Sequence, residues 1–91
     1  MSESESPAKV EIYTKWGCGF CSRAKALLAS KAVEFEEIDI TMGGPKRDEM
    51  LARACGGTTV PQIFISGVHV GGSDDLATLN RTGKLDMLLG R

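Results

Sequence analysis

The chain has 91 residues, enough for one small domain and too few for two. Hydrophobic residues make up 42% and charged residues 25%, which is typical of a globular protein and excludes a fibrous or largely disordered one. The net charge is −1, and no apolar run approaches the roughly 20 residues of a membrane span, so we expect neither nucleic acid nor membranes as partners.

The first eight residues, M-S-E-S-E-S-P-A, are polar and acidic and contain no apolar stretch. We predict a disordered polar tail over residues 1–8 and a single domain over residues 9–91. Because no secretory or transit pattern is present, we expect a cytoplasmic protein. In that reducing compartment, paired cysteines are more often catalytic or metal-binding than structural.

The first half of the domain has the pattern of a βαβ unit. Apolar and polar residues alternate from Lys9 to Thr14 and again from Val33 to Ile40, which predicts two strands. Good helix formers fill the stretch from Cys18 to Lys31 between them. A helix of that length allows the two strands to be parallel neighbours.

The second half predicts a helix, a hairpin and a final helix. Pro45 begins a helix that ends near Ala54, before two glycines. Two short strands, 62–66 and 68–71, flank Gly67 as a hairpin. The cluster 73–75 is typical of a helix N-cap, and a break at 80–83 precedes a last turn over 84–89. The order β-α-β-α-β-β-α indicates an α/β fold with a four-stranded mixed sheet flanked by helices.

The strongest chemical signal is Cys18-Gly19-Phe20-Cys21, where the first strand gives way to the first helix. A C-x-x-C pair beside a βαβ pattern is typical of a thioredoxin-like redox site. Unpaired N–H groups at the helix N-terminus stabilise a negatively charged sulfur, and Lys15 adds a nearby positive charge. We therefore expect Cys18 to be the nucleophile and Cys21, one turn further in, to be the resolving thiol.

Two other interpretations of the cysteines remain open. A zinc site would need four ligands, and only Cys55 and His69 could join the pair. The pair could also be two unrelated cysteines of a core helix. Outside the motif, we expect Cys55 to be a buried inert thiol and His69 a half-exposed structural residue.

Three motifs together resemble the glutaredoxins, most closely the small bacterial dithiol members. They are Y-T-K-x-x-C-x-x-C from Tyr13 to Cys21, T-V-P from Thr59 to Pro61, and G-G-S-D-D from Gly71 to Asp75. The resemblance extends over residues 9–90 and implies a thioredoxin-like fold. It also implies a cis bond before Pro61, which would turn the Val60 backbone toward Cys18.

By the same resemblance, glutathione would be the co-substrate. Its γ-glutamyl end would lie at the helix N-terminus formed by Gly72, Ser73 and Asp74, and its glycine carboxylate near Lys15. Thr59, Val60 and Pro61 would line the tripeptide, and the Val60 backbone would pair with it. Phe20 would cover the tripeptide, or would simply shield the sulfurs. Arg47 is a weaker candidate for the glycine carboxylate, because an exposed helix face explains this residue more simply. The structural alternative for Ser73 and Asp74 is helix capping alone.

The motif departs from the dithiol pattern, which commonly has Pro and Tyr where this chain has Gly19 and Phe20. The monothiol class begins with the same Cys-Gly-Phe but has Ser at the place of Cys21. Some members with Gly after the first Cys bind a [2Fe–2S] cluster between two protomers, with glutathione as a further ligand. A cluster carrier of that kind, with Cys18 as its ligand, is therefore the alternative function.

The function implied is a glutathione-dependent thiol–disulfide oxidoreductase. It would act on glutathionylated or disulfide-containing proteins as a monomer, and no metal is required. A thioredoxin reduced by a flavoprotein is disfavoured, because the chain begins directly with the active-site strand and lacks Pro before the second Cys.

Overall fold

The computed structural model describes residues 8–90. These residues form four strands and four helices, and their bounds are β1 Val10–Thr14, α1 Gly19–Ser30, β2 Glu36–Asp39, α2 Pro45–Arg53, β3 Gln62–Ile65, β4 Val68–Gly71, α3 Ser73–Arg81 and α4 Lys84–Leu88. This order confirms the predicted β-α-β-α-β-β-α succession, with the last turn of the prediction forming the short helix α4. Among residues 8–90, none of the helices is both long and apolar enough to cross a membrane.

The strands form one mixed sheet in the order β2-β1-β3-β4. β1 is parallel to β2, as predicted for a βαβ unit, and antiparallel to β3, which in turn is antiparallel to β4. This arrangement places the carboxyl ends of β1 and β4 and the amino end of β3 at one edge of the sheet. The loops and helix starts that follow or precede these ends meet there.

One face of the sheet is covered by α1, α3 and α4. The apolar side chains of this layer are fully or almost fully buried, and they comprise Val10, Ile12, Ala24, Leu28, Ile63, Ile65, Leu76, Leu85 and Leu89. Because strand residues alternate between faces, Ile12 points into this layer while its neighbour Tyr13 points to the other.

Helix α2 covers the opposite face. Met50 and Ala54 pack there against Tyr13, Ile38 and Phe64. Polar groups line the edge of this layer as well, where Arg53 donates to both carboxylate oxygens of Glu11, at 2.9 and 3.2 Å, and to the Tyr13 hydroxyl at 2.9 Å. Helices on both faces give the three-layer thioredoxin-like architecture that the sequence predicts.

The second strand is shorter than predicted: β2 begins at Glu36, not at Val33. Its ladder with β1 runs only from the Glu11–Glu36 pair to the Thr14–Asp39 pair, so residues 33–35 have no ladder partners in β1. Val33 and Phe35 nevertheless pack against the core, which explains their apolar character.

Two other predictions concern the N-terminal tail and the burial of Cys55. Residues 1–7 of the predicted tail lie outside the described residues, while Ala8, its last residue, is partly buried against the core. The division into tail and domain therefore stays a prediction. Cys55, expected to be buried, is exposed: it follows α2 in a turn and has a φ of +54°.

Candidate functional site

The two cysteines of the C-x-x-C motif occupy different environments at the start of α1. Cys18 is the N-cap residue, and its Sγ accepts a hydrogen bond from the Cys21 backbone N–H at 3.1 Å. Its thiol is partly exposed, whereas Cys21 is buried. A sulfur that accepts from the first turn of a helix is placed to carry negative charge, because the free N–H groups and the helix dipole both stabilise an anion there.

The pKa of the Cys21 thiol is raised from its ordinary 9.0 to about 11, mainly by burial and also by the hydrogen bond to Cys18 and the charge of that sulfur. Cys21 is therefore a protonated thiol at neutral pH. The accessible sulfur at the helix start is Cys18, so the geometry supports the predicted order of nucleophile and resolving thiol.

The loop before β3 faces Cys18. The Val60–Pro61 peptide bond is cis, as the resemblance implies, and the Val60 carbonyl oxygen lies 3.8 Å from Cys18 Sγ. Thr59 is exposed and Val60 partly buried, so the backbone of this loop is open beside the sulfur.

A cavity of about 440 Å³ extends from this loop to the N-terminus of α3. It brings together seven of the residues that the sequence assigns to glutathione, namely Phe20, Thr59, Val60, Pro61, Gly72, Ser73 and Asp74. Asp75 caps α3 by accepting from the Gly72 N–H at 2.9 Å. The cap uses one of the N–H groups that a helix start leaves without an intrahelical partner, so the others remain for an anionic ligand.

Lys15 lies on another side of Cys18. It lines a neighbouring cavity of about 470 Å³ together with both cysteines, Lys25 and Glu37. Glu37 accepts from Lys25 at 2.9 Å and from Thr14 at 2.8 Å, and the hydrogen bond from Lys25 is the main cause of a lowered pKa of Glu37. Arg47 lines neither cavity and is exposed on α2.

Four further residues line the cavity of about 440 Å³ but were not assigned to glutathione from the sequence: Gln62, His69, Gly71 and Asp75. Gln62 directly follows Pro61, so its position beside T-V-P was a usable signal. His69 enters the cavity only because the hairpin register places it opposite Phe64. It is exposed, not half-exposed, and its Nε2 is 2.6 Å from Gln62 Oε1.

Within residues 8–90 there is no group of three or more His, Cys, Asp or Glu side chains that would hold a metal ion. The four-ligand zinc alternative therefore has no support in this part of the chain. A [2Fe–2S] cluster shared between two copies would need only one protein ligand from each copy. That ligand would be the partly exposed Cys18, and the other ligands would come from glutathione.

Comparison with known proteins agrees with the geometry. The glutaredoxin family model matches residues 10–70. Glutaredoxin 3 of Escherichia coli K12 is 57% identical over 82 residues, which cover 90% of this chain and 98% of that protein. The solution structure of glutaredoxin from Brucella melitensis is similar with a TM-score of 0.79 at 56% identity, covering 92% of this chain and 90% of that one.

A more distant structure has the same fold. The crystal structure of the buckwheat glutaredoxin–glutathione complex gives a TM-score of 0.81 at 30% identity, covering 91% of this chain and 77% of the buckwheat chain. The family match extends over the C-x-x-C pair and the T-V-P loop, and the similarity to relatives extends over most of the chain. The chain therefore belongs to the glutaredoxin family of thiol–disulfide oxidoreductases.

Proposed function

We propose that the protein is a glutathione-dependent oxidoreductase that reduces protein–glutathione mixed disulfides and protein disulfides. The observation that carries this proposal is the position of Cys18 Sγ, which caps α1 and faces the Val60 carbonyl at 3.8 Å beside a cavity that ends at a second helix N-terminus. One edge of the sheet thus offers a nucleophilic sulfur, an open backbone and an anion-binding helix start.

Glutathione fits this arrangement through its own groups. Its γ-glutamyl carboxylate would accept from N–H groups at Ser73 and Asp74, while the Asp74 carboxylate would accept from its amine. The Val60 backbone would pair with its cysteinyl unit as a short antiparallel strand, with Phe20 over it. Lys15 would attract the glycine carboxylate. We leave Arg47 out of this set because it lines neither cavity.

The one-thiol cycle uses Cys18 alone. Its thiolate attacks the glutathione sulfur of a glutathionylated protein, so that a Cys18–glutathione disulfide forms and the protein thiolate leaves and takes up a proton. A second glutathione thiolate attacks the bound glutathione sulfur. Oxidised glutathione is released and Cys18 returns as a thiolate. Each mixed disulfide therefore consumes one reduced glutathione, and the oxidised glutathione contains that molecule and the glutathionyl group of the substrate.

The dithiol route adds Cys21. Cys18 attacks one sulfur of a protein disulfide, and the first protein thiolate leaves. Cys21 then loses its proton and attacks Cys18 Sγ, which forms the internal disulfide and releases the second thiolate. Two glutathione molecules reduce the internal disulfide. Both routes require reduced glutathione, and we propose the cytoplasm as the place of action.

The test is glutathione-driven turnover of a glutathionylated peptide by three proteins: wild type, Cys21→Ser and Cys18→Ser. We expect Cys21→Ser to retain turnover and Cys18→Ser to have none. If Cys21→Ser is inactive while wild type is active, the one-thiol cycle is wrong and turnover needs both cysteines. An inactive wild type would contradict the oxidoreductase proposal.

The cluster-carrier alternative has its own readout. A Cys18-ligated [2Fe–2S] cluster would give a brown protein with visible absorption after anaerobic purification or reconstitution, and it would be lost in Cys18→Ser. A colourless protein after reconstitution with iron, sulfide and glutathione would exclude it. Active turnover by a colourless protein supports the enzyme alone.

A further inference from the structure

The side chain of Gln62 connects the T-V-P loop to the hairpin behind it. Gln62 is the first residue of β3 and is only 5% exposed. Its Nε2 donates to the Thr59 backbone carbonyl at 2.9 Å and lies 3.3 Å from Thr59 Oγ1. Its Oε1 faces His69 Nε2 at 2.6 Å. All the polar atoms of this buried amide are therefore used.

These contacts orient the amide in one way. The Thr59 carbonyl is an acceptor only, so the nitrogen of the Gln62 amide must face it. The amide oxygen then faces His69, so His69 Nε2 must carry a hydrogen. Both the protonated ring and the neutral ring with a hydrogen on Nε2 meet this demand. His69 thus holds the amide in the orientation that Thr59 requires.

Packing around the amide is close on the other side as well. A Cβ on Gly57 would lie 3.0 Å from Gln62 Nε2 and 3.3 Å from the Ala54 carbonyl oxygen, so the chain approaches the amide where a glycine allows it. The His69 ring lies on Phe64, with centroids 5.0 Å apart. Gln62 is therefore held by close packing beside Gly57 and His69 by its contact with Phe64, while both residues line the candidate glutathione cavity.

We infer that Gln62 and His69 are positioning residues for the glutathionyl substrate. They hold the Thr59 carbonyl in place, and with it the Val60 backbone that faces Cys18 Sγ. Because this backbone would pair with the tripeptide, a loop released from Gln62 binds the substrate less tightly. Cys18 Sγ still accepts from the Cys21 N–H at the start of α1, and a thiolate has no hydrogen to donate to the Val60 carbonyl, so its rate of alkylation does not depend on the loop. The inference rests on the proposed function, since it assigns the two residues a role in that same site.

Two substitutions test it. Gln62→Met keeps the length of the side chain and removes its donor, and His69→Phe keeps a ring on Phe64 and removes the bond to Gln62. Val68→Ala is the matched control, because Val68 is exposed and precedes His69 in β4. We expect KM for a glutathionylated peptide to rise about fivefold in each of the two variants, the value of one net hydrogen bond, with kcat and the rate of Cys18 alkylation by iodoacetamide unchanged.

A second measurement isolates binding and coupling. In the Cys18→Ser background, the Kd of S-methylglutathione should rise by the same factor for each variant. Because His69 acts through Gln62, the double variant Gln62→Met/His69→Phe should match Gln62→Met alone. Additive effects would overturn the coupled role.

The outcomes separate this inference from the proposed function. If wild type turns over the peptide and both variants keep the KM of Val68→Ala, the positioning role is wrong and the proposed function stands. The same holds if kcat falls while KM is unchanged. If wild type does not turn over the peptide and Cys18→Ser does not bind S-methylglutathione, both proposals are wrong. His69 is exposed, so His69→Phe provides a folded variant should Gln62→Met not fold.

Discussion

Cys21 lies one turn deeper in α1 than Cys18, and in the proposed mechanism this depth decides which sulfur attacks first and which one resolves. Burial raises the pKa of Cys21, whereas Cys18 at the helix start is partly exposed and accepts from the Cys21 N–H. The thiol that attacks first must be accessible and charged. The thiol that resolves can stay protonated until a mixed disulfide has formed on its neighbour.

The Cβ carbon of Cys21, labelled with ¹³C in the reduced protein, should titrate with a midpoint well above 9.0 and near 11. The folded state holds this proton more tightly than the unfolded chain, so stability falls as the pH rises from 9.0 to about 11. Cys21→Ser should lack that part of the fall in urea unfolding. A Cys21 midpoint at or below 9.0 would contradict the raised pKa.

Gly71 shows how one missing side chain shapes the far end of the cavity. Its φ is +118°, and a Cβ there would overlap the Asp75 carboxylate that accepts from the Gly72 N–H. We expect Gly71→Ala to cost about 1–3 kcal/mol in urea unfolding. Gly67→Ala is the control because Gly67 also has a positive φ, +80°, but open space around it. Equal costs would show that the overlap with Asp75 contributes nothing.

At the scale of elements, α2 is held on the sheet by a polar connection as well as by apolar packing. Arg53 donates two hydrogen bonds to the carboxylate of Glu11 in β1, and its guanidinium lies 4.1 Å from the centre of the Phe64 ring in β3. The hydrogen bond from Arg53 is the main cause of a lowered pKa of Glu11. One side chain of α2 therefore contacts two neighbouring strands.

Arg53→Met should destabilise the protein by about 2–4 kcal/mol, because Glu11 then loses its partner in a mostly buried position. Urea unfolding measures the loss, and Arg53→Lys should recover only part of it since an ammonium cannot form the fork. The lowered pKa of Glu11 gives stability that is present above its ordinary 4.5 and is lost as the pH falls below it. The difference in the free energy of unfolding between wild type and Arg53→Met should therefore become smaller below pH 4.5. A difference that does not change with pH would contradict an ionic contribution.

At the scale of the whole molecule, the strand order assembles the site. β3 runs antiparallel to both β1 and β4, so the segments 18–21, 59–61 and 71–75 meet at one edge of the sheet. Helices α1 and α3 pack together on one face and both begin at this edge. The last helix, α4, completes that layer with the buried side chain of Leu85.

Leu85→Ala should therefore affect the whole fold. Removing a fully buried leucine costs about 2–5 kcal/mol, against the roughly 5–15 kcal/mol by which domains are stable. Thermal unfolding should show a large drop in Tm. Met87→Ala, on the exposed side of the same helix, should change stability by less than about 0.5 kcal/mol. A similarly small effect of Leu85→Ala would mean that α4 is not part of the cooperative core.

Much of the fold was predictable because its signals are local. Alternation in Val10–Thr14, Pro45 at the start of α2 and the glycine between β3 and β4 each act within a few residues. The start of β2 was not predictable, because it depends on where the ladder with β1 begins. The prediction that Cys55 is buried was wrong, because its exposure depends on the turn after α2, in which it has a φ of +54°.

The sequence by itself predicted the roles of Cys18 and Cys21 and, through three motifs, identified the family, because the spacing of motifs can be read without coordinates. Only the tertiary structure decided which residues share a cavity. It brought Thr59 and Ser73 together, placed Lys15 in the neighbouring cavity with the sulfurs, and left Arg47 outside both. It also revealed His69 beside Gln62, because strand register is set by pairing between segments that are separate in the sequence.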